Sequence, residues 1–456
     1  MKKLEKRAII CLTLAAVLFL GICVFVYRYV AHGADWATFY ANQSIYKDGR
    51  LAIGRIYDVN GTLLAENKGG TVEYSEDESI RRATLHAVGD MDGNIATSAE
   101  SAFKSQLVGY NLLTGTYSVT GRGNDITLTI DADVCKAAYE ALGGRDGLVG
   151  VYNYETGEII CMVSSPGFDP ANPPEVNPDD TSGIYINKFL SANLIPGSIF
   201  KLVTSAAAIE NVQGMDSYSY TCSGVSYING EKVTCTSAHG TVDFESALAK
   251  SCNCAFADIT QRVGSTLMSE YVEKLGLTSS YDIDGIRTSK GSFEFPDNAP
   301  LNLAWAGIGQ YNDELNPCSM MVYMGAIANG GTSTVPKLLH SALSSAEETD
   351  RMIEESTAEK LTSMMKNNVV SNYGESNFPG LDIYAKSGTA EVYGKQPNAW
   401  FAGFIKNEDN PYAFVVCVEN GGYLSAAYFL CCLPRNDPCC EEMGEPICRN
   451  VYLGNG

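Results

Sequence analysis

One continuous apolar segment stands apart from the mixed hydrophobic and polar pattern of the rest of the chain. Residues 8–27 contain no charged side chain over 20 positions. At ~1.5 Å per residue, an α-helix of this length crosses the ~30 Å hydrocarbon core of a bilayer. The pattern therefore predicts a transmembrane helix over residues 8–28. A cleaved signal peptide is the less favoured alternative, because its apolar core is ordinarily only ~7 to 15 residues long.

Basic residues set the expected orientation of this helix. Lys2, Lys3, Lys6 and Arg7 all precede the apolar segment. Cytoplasmic flanks of membrane helices carry an excess of Lys and Arg. We therefore expect residues 1–7 to form a short cytoplasmic tail and the chain from residue 29 onward to lie outside the cytoplasm.

The region after the helix is long enough for two modules, since about 430 residues exceed a typical single domain. Residues 30–125 are rich in Gly, Ser, Asn and Asp with short apolar runs. They predict an extended, β-rich module with little helix. A second module is expected over residues 126–430, followed by a cysteine-rich tail over residues 431–456.

Helical signals, paired strand segments and a run of turn-separated strands within the second module predict an α+β domain, with helices packed against an antiparallel sheet. Turn residues rich in Gly, Pro and Asn separate its last strands, which is typical of an antiparallel meander. The predicted strands cover residues 147–153, 158–164, 383–393, 398–406 and 411–419. The predicted helices cover residues 134–142, 198–211, 241–248, 267–275, 319–328 and 355–369.

The strongly negative net charge limits the classes of macromolecule that this protein is expected to bind. The chain carries a formal charge of −21. Residues 1–28 hold five basic side chains and one acidic side chain, or +4, so the remainder carries −25. Such an acidic surface argues against a nucleic-acid partner. Any positive charge at a functional site must come from a few local residues.

The first chemical motif combines a nucleophile with a base. Ser198 follows the loop signal Pro196-Gly197 and opens a predicted helix, and Lys201 comes three residues later. This spacing puts both side chains on one helical face, where the amine can approach the hydroxyl. A serine hydroxyl needs such a base in order to act as a nucleophile at neutral pH. An isolated Ser-x-x-Lys is nevertheless common on surface helices.

Two further strings lie downstream in a fixed order. Ser251 and Asn253 follow Ser198 after 53 residues, and Lys386 follows Ser251 after 135 residues. They offer a hydroxyl, a carboxamide and an amine. Lys386 begins the string completed by Ser387, Gly388 and Thr389 on a predicted strand, where a glycine leaves room for substrate backbone. These are groups suited to proton relay and carboxylate recognition.

Pro-Gly-Ser-x-x-Lys, Ser-x-Asn and Lys-Ser-Gly-Thr-Ala in this order resemble the motifs of the penicillin-recognising serine enzymes. The wider sequence resembles class B penicillin-binding proteins, with weaker likeness over residues 70–125. One departure is Val59, where the family usually has arginine. The other similar segments are residues 54–61, 64–65, 129–131, 147–170, 239–240, 307–310 and 398–403.

This resemblance implies a five-stranded sheet and a peptidoglycan D,D-transpeptidase that β-lactams inhibit. It implies Ser198 as the acylated nucleophile, Lys201 as its base and Ser251 as the proton relay to the leaving amine. Asn253 would hold a substrate amide, and Lys386, Ser387 and Thr389 would meet the terminal carboxylate of a stem peptide. The backbone N–H groups of Ser198 and Thr389 would form the oxyanion hole.

The same resemblance implies the setting of the enzyme. It predicts a single-pass protein of the bacterial cell membrane whose catalytic domain is extracytoplasmic. Peptidoglycan stem peptides are the expected substrates, and no cofactor is expected. A multi-spanning membrane protein that polymerises glycan strands is the expected partner, because residues 30–125 are too few for a polymerising domain.

Three other functions share the motifs. A serine β-lactamase would need a group that activates deacylating water, and we assign no Glu-x-x-x-Asn string to that role. A D,D-carboxypeptidase would differ only in passing the acyl group to water. A scaffold or sensor that binds penicillin without cross-linking is the third, and the intact motif residues argue against it.

Cysteine is abundant, with 15 residues in the chain. Cys222 and Cys235 flank a predicted hairpin and are candidates for a disulfide. We predict that Cys252 and Cys254 are small buried fillers and that His239 is structural. No metal site is predicted, since the paired cysteines of the tail lack the usual Cys-x-x-Cys spacing of zinc sites.

Overall fold

The computed structural model describes residues 2–37, 54–68, 71–90, 92–108, 123–177, 179, 181–341 and 345–422. The chain starts with helix α1 (Lys2–Ala37). Within α1, the segment Lys6–Ala31 has a mean hydropathy of 3.0 and no buried part, so it is long and apolar enough to cross a membrane. The cysteine-rich tail predicted over residues 431–456 lies outside the described residues.

A small four-stranded sheet with order β3-β2-β1-β4 follows α1. Its strands are β1 (Ile56–Tyr57), β2 (Leu63–Lys68), β3 (Thr71–Tyr74) and β4 (Ile126–Thr127). β1 and β4 pair in parallel, so the sheet joins residues on both sides of the expected module boundary at 125/126.

The prediction of little helix over residues 30–125 is wrong, because this part of the chain contains α2 (Glu78–Val88), α3 (Ala99–Ala102) and α4 (Lys104–Val108). Asp77 caps α2 by accepting hydrogen bonds from the backbone amides of Ser79 and Ile80. This is the ordinary way in which an Asp at the N-cap starts a helix.

Contacts fasten α2 to the second module. It packs against α5 (Ala132–Leu142). Arg81 forms a bidentate ion pair with Asp169, in which Nε donates to Oδ1 at 2.7 Å and Nη2 donates to Oδ2 at 2.8 Å. Hydrogen bonds from this guanidinium lower the pKa of Asp169 to about 2. The two modules are therefore joined by a buried apolar contact and by a charge-assisted one.

The second module contains a five-stranded antiparallel sheet with order β13-β14-β15-β5-β6, as the family resemblance implied. Every residue of β14 is buried, so both faces of the central sheet are covered. Its strands are β5 (Gly147–Asn153), β6 (Ile159–Ser165), β13 (Ile383–Ala390), β14 (Asn398–Ile405) and β15 (Tyr412–Val418).

Helix α12 supplies much of the cover, since all twelve of its residues are buried and it packs on β14, β15 and β5. The helices of this module are α6 (Lys188–Ser191), α7 (Lys201–Asn211), α8 (Phe244–Ala249), α9 (Asn253–Val263), α10 (Ser265–Lys274), α11 (Pro300–Ala306), α12 (Pro317–Ala328) and α13 (Glu355–Asn368). The short strands are β7 (Ser219–Cys222), β8 (Val225–Ile228), β9 (Glu231–Thr234), β10 (Gly240–Asp243), β11 (Asp282–Ile283) and β12 (Ile286–Arg287).

The helix predicted over residues 241–248 is partly wrong. Residues 240–243 form β10, which pairs with β7, and the helix starts only at Phe244. Asp243 and Ser246 form a capping box that fixes this start. The other predicted helices and strands of the module are confirmed to within a few residues.

Candidate active site

Ser198 and Lys201 lie where a tight turn changes into a helix. Residues Gly197–Phe200 form a 3₁₀ turn, and α7 begins at Lys201 rather than at Ser198 as predicted. Nζ of Lys201 lies 3.0 Å from Oγ of Ser198. Burial, followed by the charge of Lys386, lowers the pKa of Lys201 well below its ordinary value. The amine is therefore poised as a neutral base.

Ser251 and Asn253 stand at the start of α9, on the opposite side of this amine. Nζ of Lys201 lies 3.1 Å from Oγ of Ser251, 2.8 Å from its carbonyl oxygen and 2.7 Å from Oδ1 of Asn253. Ser251 adopts a left-handed backbone conformation with φ +51. Such a conformation costs a non-glycine residue about 1 to 3 kcal/mol and is typical of functional sites.

Lys386 closes the cluster from strand β13. Its Nζ donates to Oγ of Ser251 at 3.2 Å and to the carbonyl of Ser387 at 2.8 Å. The side chain is buried, which lowers the pKa of Lys386 to about 7. Oγ of Ser251 is thus within hydrogen-bond distance of two lysine amines.

The contacts of Lys201 distribute its hydrogens in one consistent way. A neutral amine has two N–H groups and one lone pair. The carbonyl of Ser251 and Oδ1 of Asn253 only accept, and they make the two shortest contacts. If they take both hydrogens, the lone pair remains for the hydroxyls of Ser198 and Ser251, at 3.0 and 3.1 Å. The neighbours of Lys201 thus orient it to accept a proton from the nucleophile.

Two glycines allow β13 to approach the nucleophile turn. A Cβ on Gly197 would lie 2.5 Å from the carbonyl oxygen of Thr389, and Gly197 has φ +57. A Cβ on Gly388 would lie 3.1 Å from both the amide nitrogen of Ile199 and the carbonyl oxygen of Pro196. The backbone around Gly388 and Thr389 therefore packs directly on the turn that carries Ser198.

No sequence motif indicated Tyr373, whose hydroxyl forms hydrogen bonds with Ser387 on strand β13, next to Lys386. Its buried hydroxyl donates to Oγ of Ser387 at 2.8 Å and accepts from the amide of Ser387 at 2.7 Å. Asn368 donates to the same hydroxyl at 2.9 Å and to the carbonyl of Ala385 at 2.7 Å. Tyr373 lies in a single π-helical turn after α13, a feature that no sequence pattern indicated.

A second omission is a cluster of sulfur and nitrogen atoms beside Asn253. Cys222, Cys235, His239 and Cys252 bring one ligand atom each to within 4.8 Å of one another. The reading of His239 as only structural and of Cys252 as an isolated filler did not foresee this grouping. The candidate disulfide is absent, since Cys222 and Cys235 are free thiols with sulfurs 3.7 Å apart.

Comparison with known proteins identifies the family. The model of the penicillin-binding protein transpeptidase domain matches residues 147–428, which is more than half of the chain. The chain belongs to the penicillin-binding protein transpeptidase family. The resemblance to class B penicillin-binding proteins is confirmed, and the N-terminal apolar helix fits that class.

Individual proteins and solved structures that resemble this penicillin-binding protein support the same family assignment. Peptidoglycan D,D-transpeptidase PbpA from Mycobacterium tuberculosis is 27% identical over 338 residues, covering 66% of this chain and 68% of the relative. Stage V sporulation protein D from Bacillus subtilis is 25% identical over 332 residues, covering 67% and 51%. The penicillin G acyl-enzyme structure of penicillin-binding protein A from M. tuberculosis matches with a TM-score of 0.68 and 25% identity, covering 82% of this chain and 94% of that one.

Proposed function

We propose that this protein is a peptidoglycan D,D-transpeptidase that cross-links stem peptides through an acyl-enzyme on Ser198. The observation that carries the proposal is the buried amine of Lys201, 3.0 Å from the hydroxyl of Ser198. The relatives named as peptidoglycan D,D-transpeptidases and the penicillin G acyl-enzyme support the reaction class.

In the first half-reaction, Lys201 removes the proton of Ser198 as Oγ attacks the carbonyl carbon of the penultimate D-Ala residue of a donor stem peptide. The backbone N–H groups of Ser198 and Thr389 stabilise the oxyanion. The peptide bond breaks, and Ser251 passes a proton from Lys201 to the departing D-Ala amine. The terminal carboxylate of the donor is held by Lys386, Ser387 and Thr389, and Asn253 holds a substrate amide.

In the second half-reaction, the amine of a second stem peptide attacks the ester carbonyl. Lys201 and Ser251 carry the amine proton back to Oγ of Ser198, which leaves. The product is a cross-link with a new amide bond, and the enzyme returns to its initial state. A β-lactam resembles the donor and leaves a stable acyl group on Ser198.

The proposal is tested by following a fluorescent penicillin on the purified full-length protein over hours, beside a synthetic stem peptide with and without an acceptor amine. We expect label that persists for hours and a cross-linked product only when the acceptor is present. Rapid loss of label would instead indicate a β-lactamase. Release of D-Ala without a cross-linked product would indicate a D,D-carboxypeptidase, and no label on folded protein would indicate a scaffold or sensor.

Acylation should also depend on pH through Lys386. Because its pKa is about 7 in the free enzyme, its positive charge is lost as the pH rises through neutrality. We expect the second-order acylation rate constant to fall above pH 7, by up to about tenfold per pH unit. Rates measured from pH 6 to 9, with melting temperature as a check of folding, test this. A rate that is constant or rising from pH 7 to 9 would contradict the role of Lys386.

The setting of the enzyme is part of the proposal. The apolar segment of α1 supports a single-pass anchor. We place residues 1–7 in the cytoplasm and the transpeptidase domain (126–430) outside the membrane, with residues 30–125 as a non-catalytic support. A polytopic glycan-polymerising membrane protein is the proposed partner. Co-purification of the full chain from membranes tests it, and recovery of no polytopic protein would count against it.

A further inference from the structure

Four residues from three chain segments meet beside the active site. Cys222 ends β7, Cys235 follows β9, His239 precedes β10, and Cys252 stands immediately before α9. The sulfurs of Cys222 and Cys252 are buried, and the other two side chains are half-buried. Cys235 and His239 share the loop between β9 and β10, whereas Cys222 and Cys252 come from two other segments, so packing of the fold brings three segments together. The transpeptidase reaction proposed above uses none of their side chains.

Three of the six distances between the four ligand atoms match the edges of a zinc tetrahedron, and all six lie within 4.8 Å. With Zn–S bonds of ~2.3 Å and Zn–N bonds of ~2.1 Å, tetrahedral ligands lie ~3.8 Å apart for two sulfurs and ~3.6 Å apart for sulfur and nitrogen. The sulfur of Cys235 lies 3.7 Å from that of Cys222 and 3.8 Å from that of Cys252. Nδ1 of His239 lies 3.6 Å from the sulfur of Cys222. A disulfide would instead need a separation of ~2.05 Å.

Each of the three cysteine sulfurs of the cluster accepts a hydrogen bond from a backbone amide. The N–H of Gly224 donates to Cys222 at 3.4 Å, that of Cys254 to Cys235 at 3.3 Å, and that of Ala255 to Cys252 at 3.4 Å. Donors in these positions stabilise negative charge on sulfur. Metal-bound thiolates carry such charge, and their hydrogen-bond partners orient them and tune the metal.

We propose that Cys222, Cys235, His239 and Cys252 form a structural zinc site. Three thiolates and one imidazole are a donor set that suits zinc, and four protein ligands leave no open position for chemistry. Cys254 stays outside the set: its sulfur is 3.4 Å from that of Cys235 and 3.6 Å from the carbonyl of Val233, but the four atoms that all lie within 4.8 Å of one another belong to Cys222, Cys235, His239 and Cys252.

The zinc would position the catalytic amide. Cys252 separates Ser251 from Asn253 in the chain, and Cys235 follows Thr234, whose carbonyl accepts from Nδ2 of Asn253 at 2.9 Å. A metal that joins Cys235 to Cys252 therefore fixes both the start of α9 and the strand end that orients Asn253. Oδ1 of Asn253 then stays at 2.7 Å from the amine of Lys201. Cys235 and Cys252 are thus positioning residues that act through Asn253 and Ser251.

The test is the metal content of the full chain, purified in detergent without chelators and measured by elemental mass spectrometry. We expect about one zinc per chain in the wild type and below about 0.1 in Cys222→Ser and His239→Ala. The controls His340→Ala and Cys318→Ser change a histidine and a buried cysteine elsewhere, and both should keep the metal. His239→Cys, which restores four ligands, should keep it too. Replacement of zinc by Co²⁺ should give the visible absorption of tetrahedral thiolate coordination.

Two results would overturn the site: metal below about 0.1 per chain together with a Cys222–Cys235 disulfide in unreduced peptides, or zinc retained in His239→Ala combined with Cys222→Ser. The Ser198→Ala variant separates this inference from the proposed function, because it should retain zinc while losing penicillin label. Loss of the metal should slow acylation by about tenfold in His239→Ala, with recovery in His239→Cys. An unchanged rate in metal-free His239→Ala would overturn the positioning role.

Discussion

Ser198→Ala is expected to abolish covalent labelling by penicillin. The substitution removes the hydroxyl to which the proposed mechanism assigns the attack, and the acyl-enzyme on Ser198 cannot form without it. Oγ of Ser198 lies 3.0 Å from Nζ of Lys201. Its loss should leave the buried contacts of Lys201 with Ser251 and Asn253 intact.

Intact-protein mass spectrometry after incubation with penicillin measures this result. The wild type should gain the mass of one penicillin, and the variant should gain none. Ser269→Ala, which changes an exposed serine of α10, is the matched control and should label like the wild type. Label on the Ser198→Ala variant would show that another residue is the nucleophile.

Lys201→Met should reduce the acylation rate by about 10² to 10⁴-fold, which is the usual contribution of a general base. Methionine fills nearly the same volume but offers no lone pair basic enough to take the proton of Ser198. It also leaves the carbonyl of Ser251 and Oδ1 of Asn253 without their shortest donor. Both acceptors are then short of a partner, so a modest fall in melting temperature should accompany the lost rate.

Stopped-flow or gel-based labelling at several penicillin concentrations measures the rate. Lys406→Met, at an exposed position after β14, is the control and should keep the wild-type value. Raising the pH should not rescue Lys201→Met, because no other group is placed within reach of Ser198 by the described contacts. A variant rate within about threefold of the wild type would remove Lys201 from the role of base.

Local hydrophobic patterns predicted most helices and strands of the second module, because the burial of each segment is encoded in its own residues. The continuous apolar character of residues 399–405 and of residues 319–328 reflects burial that each segment must satisfy wherever it packs. The errors occurred where a polar residue decides a boundary. Asp243 moved a helix start by three residues through its capping box, and Asp77 started a helix in a region whose composition indicated strands.

The sequence by itself determined the chemistry of the site, because the spacing of Ser198 and Lys201 is short enough for one turn of backbone to bring the two side chains together. It also determined the apolar anchor segment, whose length alone sets its fit to a membrane. Ser251 and Lys386 were predicted from the order of the strings, and only folding could bring them within hydrogen-bond distance.

Only the tertiary structure decided which distant groups act on these residues. The pKa values of Lys201 and Lys386 depend on burial, which a sequence motif does not measure. The support from Tyr373 depends on a π-helical turn, and the cluster of Cys222, Cys235, His239 and Cys252 depends on the packing of three separate segments. Such contacts join segments far apart in the chain, so they are fixed by packing of the whole domain rather than by local preference.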